Sequence, residues 1–389
     1  MLSKHLRLAL FSATMPWMKK ILIYSFLIVF ISTLTGFFVW WQGSQEEKMA
    51  SPYFKNQNDQ SVEKPLLKYT FVNLKKRQPQ VSPIQLEENI PAGSVLAQGY
   101  KSYIFSYFSD GRKVSGLANI PEAEPEASTS ADLSVEVEVE DSSPSAIQSK
   151  SNLDISSTQD DQKYPVIVLV RGYVDQADYE PGAGTKRVGE YFAQNGFITL
   201  APDFLGYGGS DMPPDNVWEE RFLRPLAVID LLASVSALPQ ADSSHIFIWG
   251  HSNGGMVSMA VLELTGGDYP TVLWAPVSQS FPYDVLYYTY EFEDKGKALR
   301  QALADFEKDY SVDNFSFDNH LDWINAPIQL EQGKDDQYVP LAWTSNLNVK
   351  LKNLGKEVNF YSYSGTDHNM NGAWDKAIAR DLAFFQSYL

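Results

Sequence analysis

A chain of 389 residues with 44% hydrophobic content is long enough to bury one large core or two smaller ones. Its formal net charge of -17 at pH 7 disfavours a nucleic-acid partner, because phosphate groups would be repelled. Cysteine is absent, which excludes disulfide bonds, thiolate metal ligands and a cysteine nucleophile.

The first feature in chain order is an uncharged apolar run over residues 21–41, which is long enough to span a bilayer. Residues 1–20 carry four basic side chains, so the positive-inside rule predicts a cytoplasmic N-terminus and an extracytoplasmic remainder. We therefore predict one transmembrane signal-anchor helix at 21–41. Two alternatives stay open: a cleaved secretory signal, whose apolar region is usually about 7 to 15 residues long, and a buried core helix.

Residues 42–96 are polar, rich in proline and weakly periodic, which is typical of a tether with some local structure; we expect it to be extracytoplasmic. A hairpin pattern follows at 100–108 and 113–120, with Asp110 and Gly111 at its turn. The hairpin starts the regular pattern, and we expect one folded domain over residues 97–389.

Residues 121–163 interrupt that domain with a segment dominated by Glu, Asp, Ser and Thr. Such a composition cannot bury enough apolar surface to fold alone, so we predict a disordered acidic insertion. The alternating Val and Glu residues at 135–140 leave a second interpretation open, in which this stretch adds an edge strand.

From residue 165 onward the pattern alternates between strands and helices. Apolar strands are predicted at 166–170, 197–201, 246–249, 272–275, 328–330 and 358–363, and helices at 185–195, 218–238 and 373–388. Continuous apolar strands separated by helices indicate a doubly wound, mostly parallel sheet that is covered on both faces. Such sheets place their chemistry at the carboxyl ends of the strands.

The sequence Gly250-His251-Ser252-Asn253-Gly254 lies between a predicted strand and a helix and matches the G-x-S-x-G nucleophile elbow. In this turn, side chains two residues before and after the serine would collide with the neighbouring strand and helix, so glycine is required there. The serine hydroxyl would project above the sheet from a strained backbone. The alternative is a glycine-rich turn with a capping serine.

A nucleophilic serine needs a base, and the chain offers five histidines. His5 precedes the apolar run, His245 begins the elbow strand at its remote end, and His320 has no strand-end context. His251 adjoins the serine, where its side chain would point away and pack. His368 directly follows the last predicted strand, and it is therefore the predicted base.

The base needs a carboxylate partner, and Asp335 and Asp336 both follow the strand at 328–330. The order serine, aspartate, histidine along the chain is that of the α/β-hydrolases. Gly333 to Pro340 resembles the G-x-x-D-x-x-V-P acid loop of the prolyl-oligopeptidase and dienelactone-hydrolase branches of that superfamily. The resemblance selects Asp336, and it implies an α/β-hydrolase fold with an N-terminal hairpin.

When a serine attacks a carbonyl group, the tetrahedral intermediate carries an oxyanion, which needs two backbone hydrogen-bond donors near that serine. The elbow supplies the first candidate, the amide of Asn253 at the start of the helix. In similar hydrolases the second donor follows a His-Gly pair after the strand at 166–170, which implies Tyr173, although Arg171 replaces the usual histidine. The resemblance also implies a structural role for Asp203.

The expected activity is that of an extracytoplasmic, membrane-anchored serine hydrolase that acts on a small ester or a short peptide and needs no metal or organic cofactor. The resemblance does not cover residues 42–96, which are too short for the β-propeller of the prolyl oligopeptidases. Residues 277–326 are expected to form a short cap, with aromatic side chains that either line a pocket or pack internally. Two alternatives are a short-peptide peptidase and a non-catalytic binding protein, and the sequence does not indicate the oligomeric state.

Overall fold

The computed structural model describes residues 64–90, 99–122 and 162–389, which form one nine-stranded sheet with helices on both faces. The strands are β1 Gln85–Ile90, β2 Tyr100–Ser109, β3 Arg112–Pro121, β4 Tyr164–Val170, β5 Ile198–Pro202, β6 Ala241–His251, β7 Thr271–Trp274, β8 Ile328–Gly333 and β9 Val358–Tyr363. The helices are α1 Phe71–Leu74, α2 Lys186–Gln194, α3 Val217–Ser234, α4 Asn253–Thr265, α5 Tyr283–Leu286, α6 Lys297–Phe306, α7 Leu341–Asn353 and α8 Trp374–Gln386.

The order of the strands is β1-β2-β3-β5-β4-β6-β7-β8-β9. Strands β1, β2 and β3 pair antiparallel, and β3 joins β5 in the same sense. The remaining strands in this order, β5-β4-β6-β7-β8-β9, are parallel to one another. The mostly parallel sheet and the hairpin at its start confirm the predicted α/β-hydrolase fold.

Strand β4 shows why the central strands are continuously apolar. Val166 and Val168 belong to the core on one face of the sheet, which also contains residues of α3 and α4. Ile167 and Leu169 belong to the core on the other face, together with residues of α2 and α8. Because successive side chains of a strand point to opposite faces, a strand covered on both sides favours apolar residues at successive positions.

The N-terminal part of the described chain packs on this sheet. Strand β1 pairs with β2 at the sheet edge, and the compact unit begins at Lys64. Residues 64–90, which belong to the predicted tether with local structure, therefore form part of this compact unit. The proposed cytoplasmic and transmembrane segments, the rest of the tether and most of the acidic insertion lie outside the described residues. Within residues 64–90, 99–122 and 162–389, no helix is long and apolar enough to cross a membrane.

A buried ion pair attaches this N-terminal segment to α3. Both terminal nitrogens of Arg77 lie 2.7 Å from the carboxylate oxygens of Asp230, whose side chain is fully buried. The same carboxylate accepts hydrogen bonds from the amide of Gln80 and the hydroxyl of Ser109. Asp230 thus joins the N-terminal segment, the hairpin and α3 at one point.

Replacing Arg77→Ala should destabilise the protein by about 3 to 5 kcal/mol, because it leaves the Asp230 charge buried without its cation. Urea unfolding measures the loss. Arg187→Ala is the matched control, since Arg187 lies 3.7 Å from Asp375 in an exposed pair, and it should change stability by about 1 kcal/mol or less. Equal effects of the two substitutions would show that Asp230 does not depend on Arg77.

Candidate active site

The turn between β6 and α4 has the geometry expected of a nucleophile elbow. Ser252 adopts φ 56° and ψ -121°, a backbone conformation that residues other than glycine rarely adopt. Its amide donates to the carbonyl of Trp274 at 2.9 Å, and its carbonyl accepts from the amides of Gly255 and Val277. These three backbone hydrogen bonds fix the strained residue between β7 and α4.

Two glycines make the turn sterically allowed. A Cβ atom on Gly254 would lie 2.0 Å from the carbonyl oxygen of Val170, and one on Gly250 would lie 2.5 Å from the hydroxyl of Ser258. Both distances are far below van der Waals contact. The glycines predicted from the motif are therefore required by the close approach of α4 to β4 at Gly254 and to β6 at Gly250.

The loops after β8 and β9 bring Asp336 and His368 together. His368 Nδ1 lies 2.8 Å from Asp336 Oδ2, and the Asp336 side chain is fully buried. Asp336 Oδ1 accepts two further hydrogen bonds, from the amides of Tyr338 and Val339. Burial by itself raises the pKa of Asp336, but His368 and the two amides outweigh it and hold the pKa below its usual value. Asp336 is therefore ionised at neutral pH.

Asp335, the other candidate carboxylate, lies at an exposed position of the same loop. Its amide donates to the carbonyl of Thr366, which joins the β8 and β9 loops through the backbone. The structure pairs His368 with Asp336 and not with Asp335.

A buried glutamine that the sequence pattern did not indicate lies beside this pair. Gln332, near the end of β8, is fully buried, and its Nε2 donates to Asp336 Oδ2 at 2.9 Å. Thr344 of α7 donates to Gln332 Oε1 at 2.6 Å. The available signal was the run of polar residues Gln329, Glu331 and Gln332 in a strand predicted to be covered on both faces.

His251, predicted to point away from the nucleophile and to pack or support the site residues, is buried against His368. Its Nε2 donates to the carbonyl oxygen of His368 at 2.9 Å, and the two rings lie 4.6 Å apart. Burial and the nearby His368 lower the pKa of His251 to about 4, so its ring is neutral at pH 7. His251 therefore supports the backbone of the histidine loop.

Ser252 and His368 both lie at the carboxyl edge of the sheet. Among the described residues, which include both, no hydrogen bond joins the Ser252 hydroxyl to the His368 ring. In proteins without bound substrate, catalytic hydrogen bonds are often long and tighten when substrate binds.

The two predicted oxyanion amides flank Ser252. Asn253 is the first residue of α4, and Tyr173 follows Gly172 in the loop after β4. A Cβ atom on Gly172 would lie 3.0 Å from Ser252 Cβ, so this loop passes directly beside the elbow. Within the described part of the chain, neither amide has a protein acceptor. Both are thus available to a ligand.

Arg171, which departs from the family pattern, is a buried support of that loop. Its guanidinium donates to the carbonyls of Gly172 and Asp203 at 3.0 and 2.8 Å and lies 4.1 Å from the Tyr207 ring. Asp203 is fully buried and accepts from Tyr179. These contacts fit the structural role expected of Asp203.

The predicted cap contains helices α5 and α6, and its aromatic side chains divide into two groups. Phe281 packs in the core, with its ring 5.3 Å from Trp218. Tyr287 stacks edge-on with Trp343 of α7 at 4.7 Å. The hydroxyl of Tyr288 donates to the carbonyl of Tyr338, whose half-exposed ring lies 5.3 Å from that of His368. The second group therefore extends to the edge of the candidate site.

Two buried carboxyl groups lie on the opposite face of the sheet, behind the elbow. Asp381 of α8 accepts from the indole of Trp274 at 2.7 Å and from Gln329 at 2.9 Å. Glu331 is fully buried, and within the described residues its oxygens have no hydrogen-bond partner. Burial raises the pKa of both groups, and the Asp381 charge raises the pKa of Glu331 further, whereas Arg380, 3.8 Å from Glu331, lowers both pKa values. We expect the pair to hold at least one proton at neutral pH.

The fold and the elbow define the class of this protein, which is a serine hydrolase of the α/β-hydrolase type. Residues 186–389 match the prolyl oligopeptidase family. Because the match covers more than half of the chain, the chain belongs to that family.

Similar proteins include both peptidases and esterases. The uncharacterized peptidase YtmA of Bacillus subtilis (strain 168) is 27% identical over 198 residues, which are 49% of this chain and 72% of that protein. The acylaminoacyl peptidase of Pyrococcus horikoshii has a TM-score of 0.50 and 18% identity. That comparison covers 75% of this chain but 42% of the peptidase, so this chain spans less than half of its length.

An acetyl xylan esterase from a Paenibacillus species has a TM-score of 0.52 and 16% identity over 86% of this chain and 98% of the esterase. At this identity, the similarity to the two solved structures supports the fold and not the substrate.

Replacing Gly254→Ala should destabilise the protein by about 3 kcal/mol or more, because the added methyl group collides with backbone that cannot move aside. Thermal unfolding measures the effect. Gly209→Ala is the control, since its Cβ would meet Ser115 at an ordinary 3.5 Å. A Gly254→Ala protein as stable as the control would contradict the close approach of α4 to β4.

The buried carboxyl pair should make the protein less stable as pH rises. From about pH 4 upward the folded state holds a proton that the unfolded state has released, so stability falls until the raised folded pKa values are passed. Between pH 5 and pH 9, the free energy of unfolding of the neutral variant Glu331→Gln should fall by about 1 kcal/mol less than that of the wild type. Urea unfolding at each pH measures this difference. The exposed control Glu307→Gln should follow the wild type, and a Glu331→Gln profile parallel to both would refute the raised pKa.

Proposed function

We propose that this chain is a membrane-anchored serine hydrolase that cleaves a carboxylic ester or amide through an acyl-enzyme intermediate. Ser252 is the nucleophile, His368 the general base and Asp336 the residue that orients His368. The observation that carries the proposal is the Asp336–His368 hydrogen bond at the same sheet edge as the strained Ser252.

The reaction follows from these positions. His368 takes the hydroxyl proton as Ser252 attacks the carbonyl carbon, and the ionised Asp336 stabilises the imidazolium that forms. The amides of Asn253 and Tyr173 bind the oxyanion of the tetrahedral intermediate. His368 then protonates the leaving group, and a water molecule activated by the same residue releases the acyl group from Ser252.

The uncharged run at residues 21–41 supports an N-terminal membrane anchor, with the catalytic unit on the extracytoplasmic side. The substrate is a small ester or a short peptide, and the similar proteins include a named peptidase and a named esterase. Family membership favours an enzyme over the alternative of a non-catalytic binding protein.

A fluorophosphonate probe should label the wild-type protein covalently, and Ser252→Ala should abolish the labelling, because the probe reacts only with an activated serine. Labelling is followed by gel fluorescence and by the mass of the modified peptide. The control Ser244→Ala changes an exposed serine at the start of the elbow strand and should label like the wild type. Labelling of Ser252→Ala at the wild-type level would reject Ser252 as the nucleophile.

Activity assays of the wild-type protein then distinguish the two candidate substrate classes. Turnover of aryl acetates without turnover of aminoacyl arylamides favours the esterase, and the reverse favours the short-peptide peptidase.

A further inference from the structure

Gln332 makes a contact that the three proposed catalytic side chains do not explain. It is fully buried in β8, and its Nε2 lies 2.9 Å from the Asp336 oxygen that also receives His368 Nδ1. A buried glutamine whose amide meets a buried carboxylate forms a charge-assisted hydrogen bond, which is stronger than a neutral one. The side chain has no exposed surface through which substrate could touch it.

The surroundings determine which end of the amide faces Asp336. Thr344 donates its hydroxyl to Gln332 Oε1 at 2.6 Å. The Nε2 end faces three acceptors, which are the carboxylate of Asp336 and the carbonyls of Gly333 and Val339. Turning the amide over would place Oε1 against three oxygens that only accept, so the nitrogen must face Asp336.

We infer that Gln332, fixed by Thr344, is a positioning residue that orients the carboxylate of Asp336. It holds Asp336 Oδ2 in line with His368 Nδ1 and keeps the carboxylate ionised throughout the reaction cycle. The inference rests on the proposed function, because it assigns a role to Gln332 only if His368 is the base.

The geometry of Asp336 explains why a fourth donor is needed. The amides of Tyr338 and Val339 hold only Oδ1, so the carboxylate could still rotate about that oxygen. Gln332 restricts this rotation because it donates to Oδ2, the oxygen that would otherwise be held by His368 alone. Because it acts through Asp336, its loss affects chemistry and not substrate binding.

The experiment uses the full chain and an aryl acetate as the substrate. Gln332→Leu should lower kcat about tenfold to a hundredfold, the range expected when a charged group loses one buried hydrogen bond. KM should stay within about twofold. The rate at which a fluorophosphonate labels Ser252 should fall by the same factor as kcat.

The matched control is Gln329→Leu. Gln329 is also buried in β8 and donates to a buried aspartate, Asp381, but on the opposite face of the sheet. Gln329→Leu should destabilise the protein as Gln332→Leu does, but its kcat should stay within about twofold of the wild-type value. Thr344→Val should lower kcat with KM unchanged, whereas Thr344→Ser, which keeps the hydroxyl, should have the wild-type kcat. This second pair of variants tests the inference even if Gln332→Leu does not fold.

A pH profile distinguishes positioning from a general packing defect. In Gln332→Glu the protonated carboxyl can donate to Asp336 as the amide does, whereas the ionised form repels it. The ratio of variant to wild-type kcat should therefore fall as pH rises from about 5 to about 9.

Equal kcat values for Gln332→Leu and Gln329→Leu at every pH, with wild-type protein that turns over and is labelled at Ser252, would overturn the inference alone. A raised KM with normal kcat would also overturn it. A folded wild-type protein without labelling or turnover would instead remove the proposed function and this inference with it.

Discussion

The structure depends on the close approach of α4 to β4 at the turn that carries Ser252. The left-handed backbone of Ser252 is unfavourable by itself, so the surroundings must over-determine it. Three backbone hydrogen bonds and two glycines without room for a methyl group provide this constraint. Within the described residues the first amide of α4 has no protein acceptor, because the first amides of a helix have no intrahelical partner, and the turn places this amide directly after Ser252.

The part of the fold that could be predicted from sequence is the part governed by local pattern. The apolar runs of β4 to β7 signal their own burial, because a strand covered on both faces favours apolar residues at successive positions. Strand β8 is different, since it also buries Gln329, Glu331 and Gln332. The elbow and the two loops with Asp336 and His368 were found because turn sterics and strand-end position restrict residue type. The hydrogen bond between Asp336 and His368 agrees with the aspartate that family resemblance selected.

The rest depends on contacts between residues that are far apart in the chain. Residues 64–90 were assigned to a tether because their proline-rich sequence has no period, yet Arg77 reaches Asp230 across 153 positions. Helix α7, Leu341–Asn353, also escaped prediction, since its apolar residues make no clear amphipathic stripe. Gln332 reads as an ordinary polar residue until Thr344 and Asp336 are placed beside it.

Buried polar side chains occur on both faces of the sheet behind this site, and they have opposite electrostatic character. On the face of Asp336, four donors converge on one carboxylate, which favours its charged form. On the other face, Glu331 and Asp381 lie together with few donors, and burial favours their neutral forms. Adjacent residues of β8, Glu331 and Gln332, point to these two environments because successive side chains alternate in a strand. The strand therefore separates a layer in which a buried carboxylate is held in its charged form from a layer in which buried carboxyl groups favour their neutral forms, and a shift of register by one residue would exchange them.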